Sequence, residues 1–98
     1  MAAGSTVLGT SQRALELREG HFAPVTYVPR EDIDMGRLVA TRHKTNSPWK
    51  GKASYYSIKG GFGMLANAAW SYEDPLPEVQ AIAGYLAFHV DRVTITRD

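Results

Sequence analysis

From Ser47 to Tyr72 apolar and polar residues alternate in two runs, separated by Lys59-Gly60-Gly61-Phe62-Gly63. A period of two is the mark of a strand. Glycines supply the positive φ angles of a tight connection. The pattern therefore predicts a β-hairpin, and it holds both tryptophans and three of the five tyrosines. In its second run Met64, Ala66, Ala68, Trp70 and Tyr72 fall on one face, and Leu65, Asn67, Ala69 and Ser71 on the other. Alanines set among large aromatics predict close packing, with the Ala66–Ala68–Trp70 face inward.

Upstream, Leu15 and Leu17 alternate with Ala14, Glu16 and Arg18, which predicts a half-buried strand. Gly20-His21 reads as a turn. Pro24-Val25-Thr26-Tyr27-Val28 is a second strand, stopped by Pro29 and paired antiparallel with the first. Pro29 to Gly36 carries a proline, then Glu31, Asp32 and Asp34, then a glycine. That order predicts one helical turn with carboxylates facing its exposed amides. Arg37 to Thr41 is extended, whereas Arg42 to Pro48 is polar, lacks periodicity and reads as a loop.

Downstream, Asp74-Pro75-Leu76-Pro77 ends the hairpin, and Pro77 opens a short helix, Glu78 to Ala83, that Gly84 terminates. Leu86, Phe88 and Val90 alternate with Tyr85, Ala87 and His89, and Val93 and Ile95 with Thr94 and Thr96. These are two short strands or one bent strand. Met1 to Thr6, small and polar, is expected to fray. The fold class is mainly β: a single small antiparallel domain over residues 1–98 with one or two short helices.

Composition narrows the functions. A chain of 98 residues has room for one core. A hydrophobic fraction of 44% with 21% charged residues is that of a globular protein. The net charge is +1 and the eleven basic residues are scattered, which argues against a nucleic-acid partner unless folding gathers Arg30, Arg42, Lys44, Lys50 and Lys52. The absence of cysteine excludes disulfides, thiolate catalysis and thiolate zinc sites, and fits a reducing compartment. No apolar run reaches the length of a membrane span. The first residues lack the basic and apolar regions of a signal peptide, so a cytoplasmic location and no membrane partner are expected.

No sequence motif carries chemistry. His21, His43 and His89 lack ligand spacing, so neither a metal nor a cofactor is expected. Gly51-Lys52-Ala53-Ser54 lacks the upstream glycine of a phosphate loop and the hydroxyl directly after its lysine. The best candidate is a convergence. Arg30 follows a strand-ending proline, Lys50 follows Trp49 where the hairpin begins, and Tyr55, Trp70 and Tyr72 are expected to wall the space beside them. In a pocket for an anionic or planar ligand, Arg30 and Lys50 bind the anion. Asp32 orients Arg30 or accepts a proton, and Tyr55 and Trp70 stack on the ligand. Two bland readings stay open: Tyr55 and Trp70 as core, and Arg30 paired with Asp32 or Glu73. At the level of function, a protein-interaction or oligomer-forming module without catalytic activity is the alternative to a ligand pocket.

Pro29-Arg30-Glu31-Asp32-Ile33-Asp34-Met35, Ser47-Pro48-Trp49-Lys50-Gly51-Lys52-Ala53-Ser54-Tyr55-Tyr56-Ser57, Ala66-Asn67-Ala68-Ala69-Trp70-Ser71-Tyr72, Asp74-Pro75 and Ile82-Ala83-Gly84-Tyr85-Leu86-Ala87-Phe88 carry a resemblance. Over about Ser11 to Arg92 the chain resembles the bacterial domain-of-unknown-function family 427, sometimes labelled nucleotidyltransferase-like. The resemblance implies a β-tent or Mss4-like domain and no settled activity. Many such relatives carry a cysteine at the position of Ser47, so a thiol role does not transfer. The label is a poor fit to the residues. Gly4-Ser5 lies far from Asp32 and Asp34, and that acidic pair falls on a helical turn rather than a strand. The resemblance also implies a further N-terminal strand, either missing here or reduced to Met1–Thr6. An edge at Val93-Thr94-Ile95-Thr96 is then left either to Met1–Thr6 or to a second copy, and the expectation leans towards a homodimer.

Overall fold

A computed structural model describes residues 1–4, 6–18 and 20–96. In chain order the strands are β1 (Ala2–Ala3), β2 (Thr6–Val7), β3 (Leu15–Leu17), β4 (Val25–Tyr27), β5 (Leu38–Ser47), β6 (Gly51–Gly60), β7 (Gly63–Ser71) and β8 (Leu86–Phe88). The main sheet is antiparallel in the order β5-β6-β7-β8, and β1-β2 and β3-β4 form two small ribbons. The fold is mainly β, as the alternation predicts. Its helical parts are 3-10 turns at Arg30–Asp32, Met35–Arg37 and Pro77–Ile82.

The central hairpin forms where the glycines place it. Gly60 pairs with Gly63, leaving Gly61 and Phe62 as the loop, and Gly63 takes φ +99°. The uninterrupted alternation of β7 does not hold. Tyr56 pairs with Ala69 and Ile58 with Leu65, so Ala66, Asn67 and Ala68 lie opposite Ser57 alone. Asn67 takes φ 51°, which asparagine tolerates better than most side chains, and its amide donates to the Ser57 hydroxyl. This bulge separates Ala68 from Trp70. Ala68 enters one core cluster, Trp70 flanks the other, and Ala66 is exposed.

Arg42 to Ser47, expected as a loop, continues β5. This strand is at the sheet edge and mostly wet, so it lacks the apolar alternation that reveals buried strands. It too is bulged. Ala40 pairs with Tyr56 and Lys44 with Ser54, which sets Thr41, Arg42 and His43 opposite Tyr55. The two bulges meet across β6, where the Thr41 hydroxyl donates to Asn67 Oδ1 at 2.7 Å.

Both sheet faces are covered in part. On one, Tyr56, Ile58, Ala69, Leu86 and Phe88 pack with Ala3, Leu8, Val28, Ile33, Leu38 and Val93. On the other, Ala53, Tyr72 and Ala87 pack with Tyr27 and Ile82, flanked by Leu17, Val25 and Val79. The β3-β4 ribbon reaches this second face because Val28 and Leu86 exchange two backbone bonds of 2.8 Å at the edge of β8.

Met1–Thr6 does not behave as a frayed end. Ala2 and Thr94 exchange two backbone bonds, and Ala3 is fully buried. Ser5, within that stretch, lies outside the described residues. The edge at Thr94 is therefore covered by the chain's own N-terminal ribbon, the local alternative to pairing with a second copy. Gly9 permits the next contact. It bridges to Ile33, and a Cβ there would collide with the Asp32 carbonyl oxygen.

Candidate functional site

The residues expected to converge separate into four places. Arg30, at the first of the 3-10 turns, acts as a clamp. Its Nε donates to the Gly84 carbonyl at 3.1 Å, and its Nη2 lies 3.3 Å from Glu73 Oε2, 3.4 Å from the Tyr56 hydroxyl and 3.5 Å from Ser71 Oγ. The guanidinium also stands 5.7 Å from the centre of the Tyr56 ring. Glu73, not Asp32, is its acidic partner.

Asp32 faces elsewhere. It accepts from the Ser11 hydroxyl at 2.6 Å and from Arg13 at 3.2 Å. The Ser11 bond, then that of Arg13, holds the Asp32 carboxyl below the usual carboxylate range. Asp34 accepts from the Gly36 amide and pairs with Arg37 at 3.5 Å. The two carboxylates thus serve different partners, Asp32 across the chain and Asp34 within its own turn. Ser5, the other half of the Gly4-Ser5 element, lies outside the described residues.

Tyr55 and Trp70 pair across β6 and β7, with rings 6.3 Å apart. They are neither fully core nor free. His43, delivered by the β5 bulge, stacks edge-on to Tyr55 at 4.5 Å, and His89 lies 4.9 Å from Trp70. The Tyr55 hydroxyl is 3.2 Å from Thr45 Oγ1. The result is a row of four rings across one sheet face, half-buried in the middle and exposed at its imidazole ends.

Lys50 lines a cleft. The β5-β6 turn is held by Ser47, whose hydroxyl accepts from the amides of Trp49 at 3.3 Å and Lys50 at 3.2 Å. The Lys50 carbonyl in turn accepts from Leu76 N at 2.9 Å, which fixes the turn against the segment between Pro75 and Pro77. Gly51, at φ +105°, allows this approach. The Lys50 ammonium stands 5.7 Å from the centre of the Tyr72 ring. Beside it opens a cleft of about 450 Å³, lined by Leu17, Arg18, Pro48, Trp49, Leu76, Glu78 and Val79 as well as Lys50. That volume lies within the ordinary range for small-molecule sites, about 300–1,000 Å³. Trp49 remains 69% exposed at its edge.

Sequence reasoning found Lys50 but missed Trp49 as a lining residue, together with Arg18, Leu76 and Glu78. The available signals were a tryptophan next to a lysine in a turn and a leucine between two prolines. Among the described residues no group of three or more histidines or acids is placed to hold a metal. No helix among the described residues is long and apolar enough to cross a membrane.

A family model described as "Domain of unknown function (DUF427)", carrying the label NTP_transf_9, matches residues 1–98. The chain belongs to the DUF427 family. No curated protein matches it. The DUF427 label names nucleotidyl transfer, yet Asp32 and Asp34 are engaged separately, so the label finds no support in this pair of carboxylates.

Proposed function

We propose that this DUF427 domain binds a small anionic ligand with a flat apolar body in the cleft beside Lys50. One observation carries the reading: Trp49, 69% exposed, lines a cleft together with Lys50, Arg18, Leu17, Leu76 and Val79. A large exposed aromatic on a braced turn gains little for the fold, whereas beside cations it supplies a stacking wall for a ligand. Lys50 and Arg18 take the anion, and Trp49 and the aliphatic residues take the planar part. Arg30 and Asp32 hold the scaffold, and Tyr55 and Trp70 stand outside this cleft.

A thermal-shift screen of planar acids, sugar phosphates and nucleotides tests the proposal, because a ligand selective for the native state raises the melting temperature. The shift should vanish in Lys50→Met and Trp49→Ala, whose unliganded melting stays near that of the parent. Hits that persist in both variants, or no hit in any class, would overturn it. The competing reading is an interaction surface without chemistry, and Phe22, 81% exposed, favours it. Sedimentation at micromolar concentration tests the homodimer form of that reading. A concentration-dependent mass that Phe22→Ser abolishes would support it, and a monomer would count against it.

A further inference from the structure

Scattered basic residues argue against a nucleic-acid partner unless folding gathers them, and folding brings Arg42, Lys44 and Lys52 onto the β5-β6 hairpin. Arg30 and Lys50 stay apart from this group, one paired with Glu73 and the other in the cleft. Lys44 pairs with Ser54, and Lys52 with Asn46. Paired residues share a sheet face, so these four lie together, with Lys44 and Lys52 as diagonal neighbours about 7–8 Å apart at the backbone. The Lys44 ammonium donates to Ser54 Oγ at 3.0 Å. Two residues further along β6 the same face enters the core at Tyr56, so this is its uncovered end. Arg42, Lys44, Asn46 and Lys52 are exposed.

The charge of this surface is one-sided. β5, β6 and β7 contain no aspartate or glutamate. Glu31 and Asp32 pair with Arg13, and Asp34 with Arg37. Even with Glu73 and Asp74, which follow β7, set against Arg30, Arg42, Lys44 and Lys52, positive charge is in excess. Among the described residues no carboxylate pairs with Arg42, Lys44 or Lys52. Lysines on an edge strand keep other chains from pairing there, but that use asks nothing of Lys52, which is on the inner strand β6. The side chains here are ammonium, guanidinium, amide and hydroxyl groups. That set meets phosphate oxygens and gives a protein partner no apolar anchor. At the tip of the same hairpin Trp49, 69% exposed, is a ring on which a base can stack.

We propose that the β5-β6 hairpin is a binding surface for single-stranded nucleic acid. Phosphates meet Arg42, Lys44 and Lys52, Ser54 and Asn46 supply hydrogen bonds between them, and a base stacks on Trp49. Lys44 and Lys52 lie outside the lining of the cleft beside Lys50, so this surface goes beyond the small-ligand reading and does not depend on it.

A fluorescein-labelled oligothymidylate of about 12 nucleotides, within the site sizes of small single-strand binders, is titrated with the full chain and followed by anisotropy. From about 50 to about 200 mM salt, the logarithm of the affinity should fall against that of the salt with a slope of about −2, as for three phosphate contacts on a single strand. Lys44→Gln combined with Lys52→Gln, both at exposed positions, should keep the parent's melting point, weaken binding at least about tenfold at the lowest salt and bring the slope to about −0.7. Trp49→Ala should weaken binding about fivefold or more and leave the slope unchanged. The same strand annealed to its complement, and a polyglutamate of equal charge, should bind more weakly because neither offers Trp49 a free base. No binding at the lowest salt, a flat salt response, a double variant that binds as the parent does, or a duplex or polyglutamate that binds as tightly as the single strand overturns the proposal. Each of these outcomes leaves the small-ligand reading standing, because that reading is tested separately through Lys50→Met and the thermal shift.

Discussion

Replacing Arg30 with alanine separates a scaffold role from a ligand role. The Arg30 side chain is 34% exposed and joins the first 3-10 turn to Gly84, to Glu73, to Tyr56 in the middle of β6 and to Ser71 at the end of β7. Its bond to the Gly84 carbonyl is charge-assisted, a type that contributes about 1.5–3 kcal/mol when sheltered. The Glu73 pair, with a half-exposed carboxylate, adds roughly 0–1 kcal/mol. The contacts to Tyr56 and Ser71, at 3.4 and 3.5 Å, are long and add little in themselves. Their loss still takes a partner from Ser71, which is fully buried. Taking the lower half of the first figure for partial exposure, Arg30→Ala should cost about 2 kcal/mol. At about 4–8 °C per kcal/mol for a domain of this size, that lowers the melting point by roughly 8–16 °C. Arg30→Lys should recover little of it, since one ammonium does not reproduce the planar fork. Thermal and urea unfolding followed by circular dichroism measure both. A loss of about 0.5 kcal/mol or less, as for an ordinary surface change, would refute the clamp.

Asp32 has a folded-state carboxyl below the usual range, so its contribution is present above the unfolded value and is lost as pH falls through the folded one. The melting difference between the parent and Asp32→Asn should therefore shrink on acidification below the ordinary aspartate range, and a difference that is flat with pH would contradict this. Gly9→Ala drives a methyl group into the Asp32 carbonyl and should cost about 2–3 kcal/mol or more, read as a lowered urea midpoint. Asn67→Ala forces alanine to φ 51° and removes the Thr41 bond, for a cost of about 1–3 kcal/mol. Asn67→Gly relieves the backbone part, so the melting points should rank parent, then glycine, then alanine. Trp49→Ala, at an exposed position, should stay within about 0.5 kcal/mol of the parent.

What could be read from the chain was what neighbouring residues decide among themselves. The hairpin at Gly60–Gly63, the ribbon of Leu15–Leu17 with Val25–Tyr27, and the turn opened by Pro77 follow from local period and local backbone preference. The bulges were hidden because they depend on a bond from Thr41 to Asn67 across an intervening strand, and no spacing rule links those positions. Without the bulges, strict alternation placed Ala68 and Trp70 on one face. Arg42 to Ser47 was hidden for a different reason: an edge strand gets its order from its neighbour's backbone and needs no apolar stripe. Ala2 and Ala3 look like a tail because small residues carry no signal until Thr94 and Leu8 are folded beside them.

The candidate site divides along the same line. Lys50 stood out because the turn that presents it is local, held by Ser47 at short range, whereas its neighbour Trp49 was read only as the start of the hairpin. For Arg30 the sequence named Glu73 among the candidate partners but not Gly84, and for Asp32 it named neither Ser11 nor Arg13, because these partners come from distant parts of the chain. A cation after a strand-ending proline has the same sequence signature whether it meets a ligand or a carbonyl.

The pairing of Ala2 with Thr94 has a kinetic consequence. It closes a loop that contains nearly every other residue, a contact whose entropic cost falls on the folding barrier unless the sheet between has already formed. β1 and β2 pair with each other, and Leu8 and Gly9 bond to Asp34 and Ile33, but the bonds of Ala2 to Thr94 wait until the distant ends of this loop come together. The hairpin of β6 and β7, complete on its own, is then the natural place for order to start. The Ala2–Thr94 bonds are accordingly among the last contacts to form.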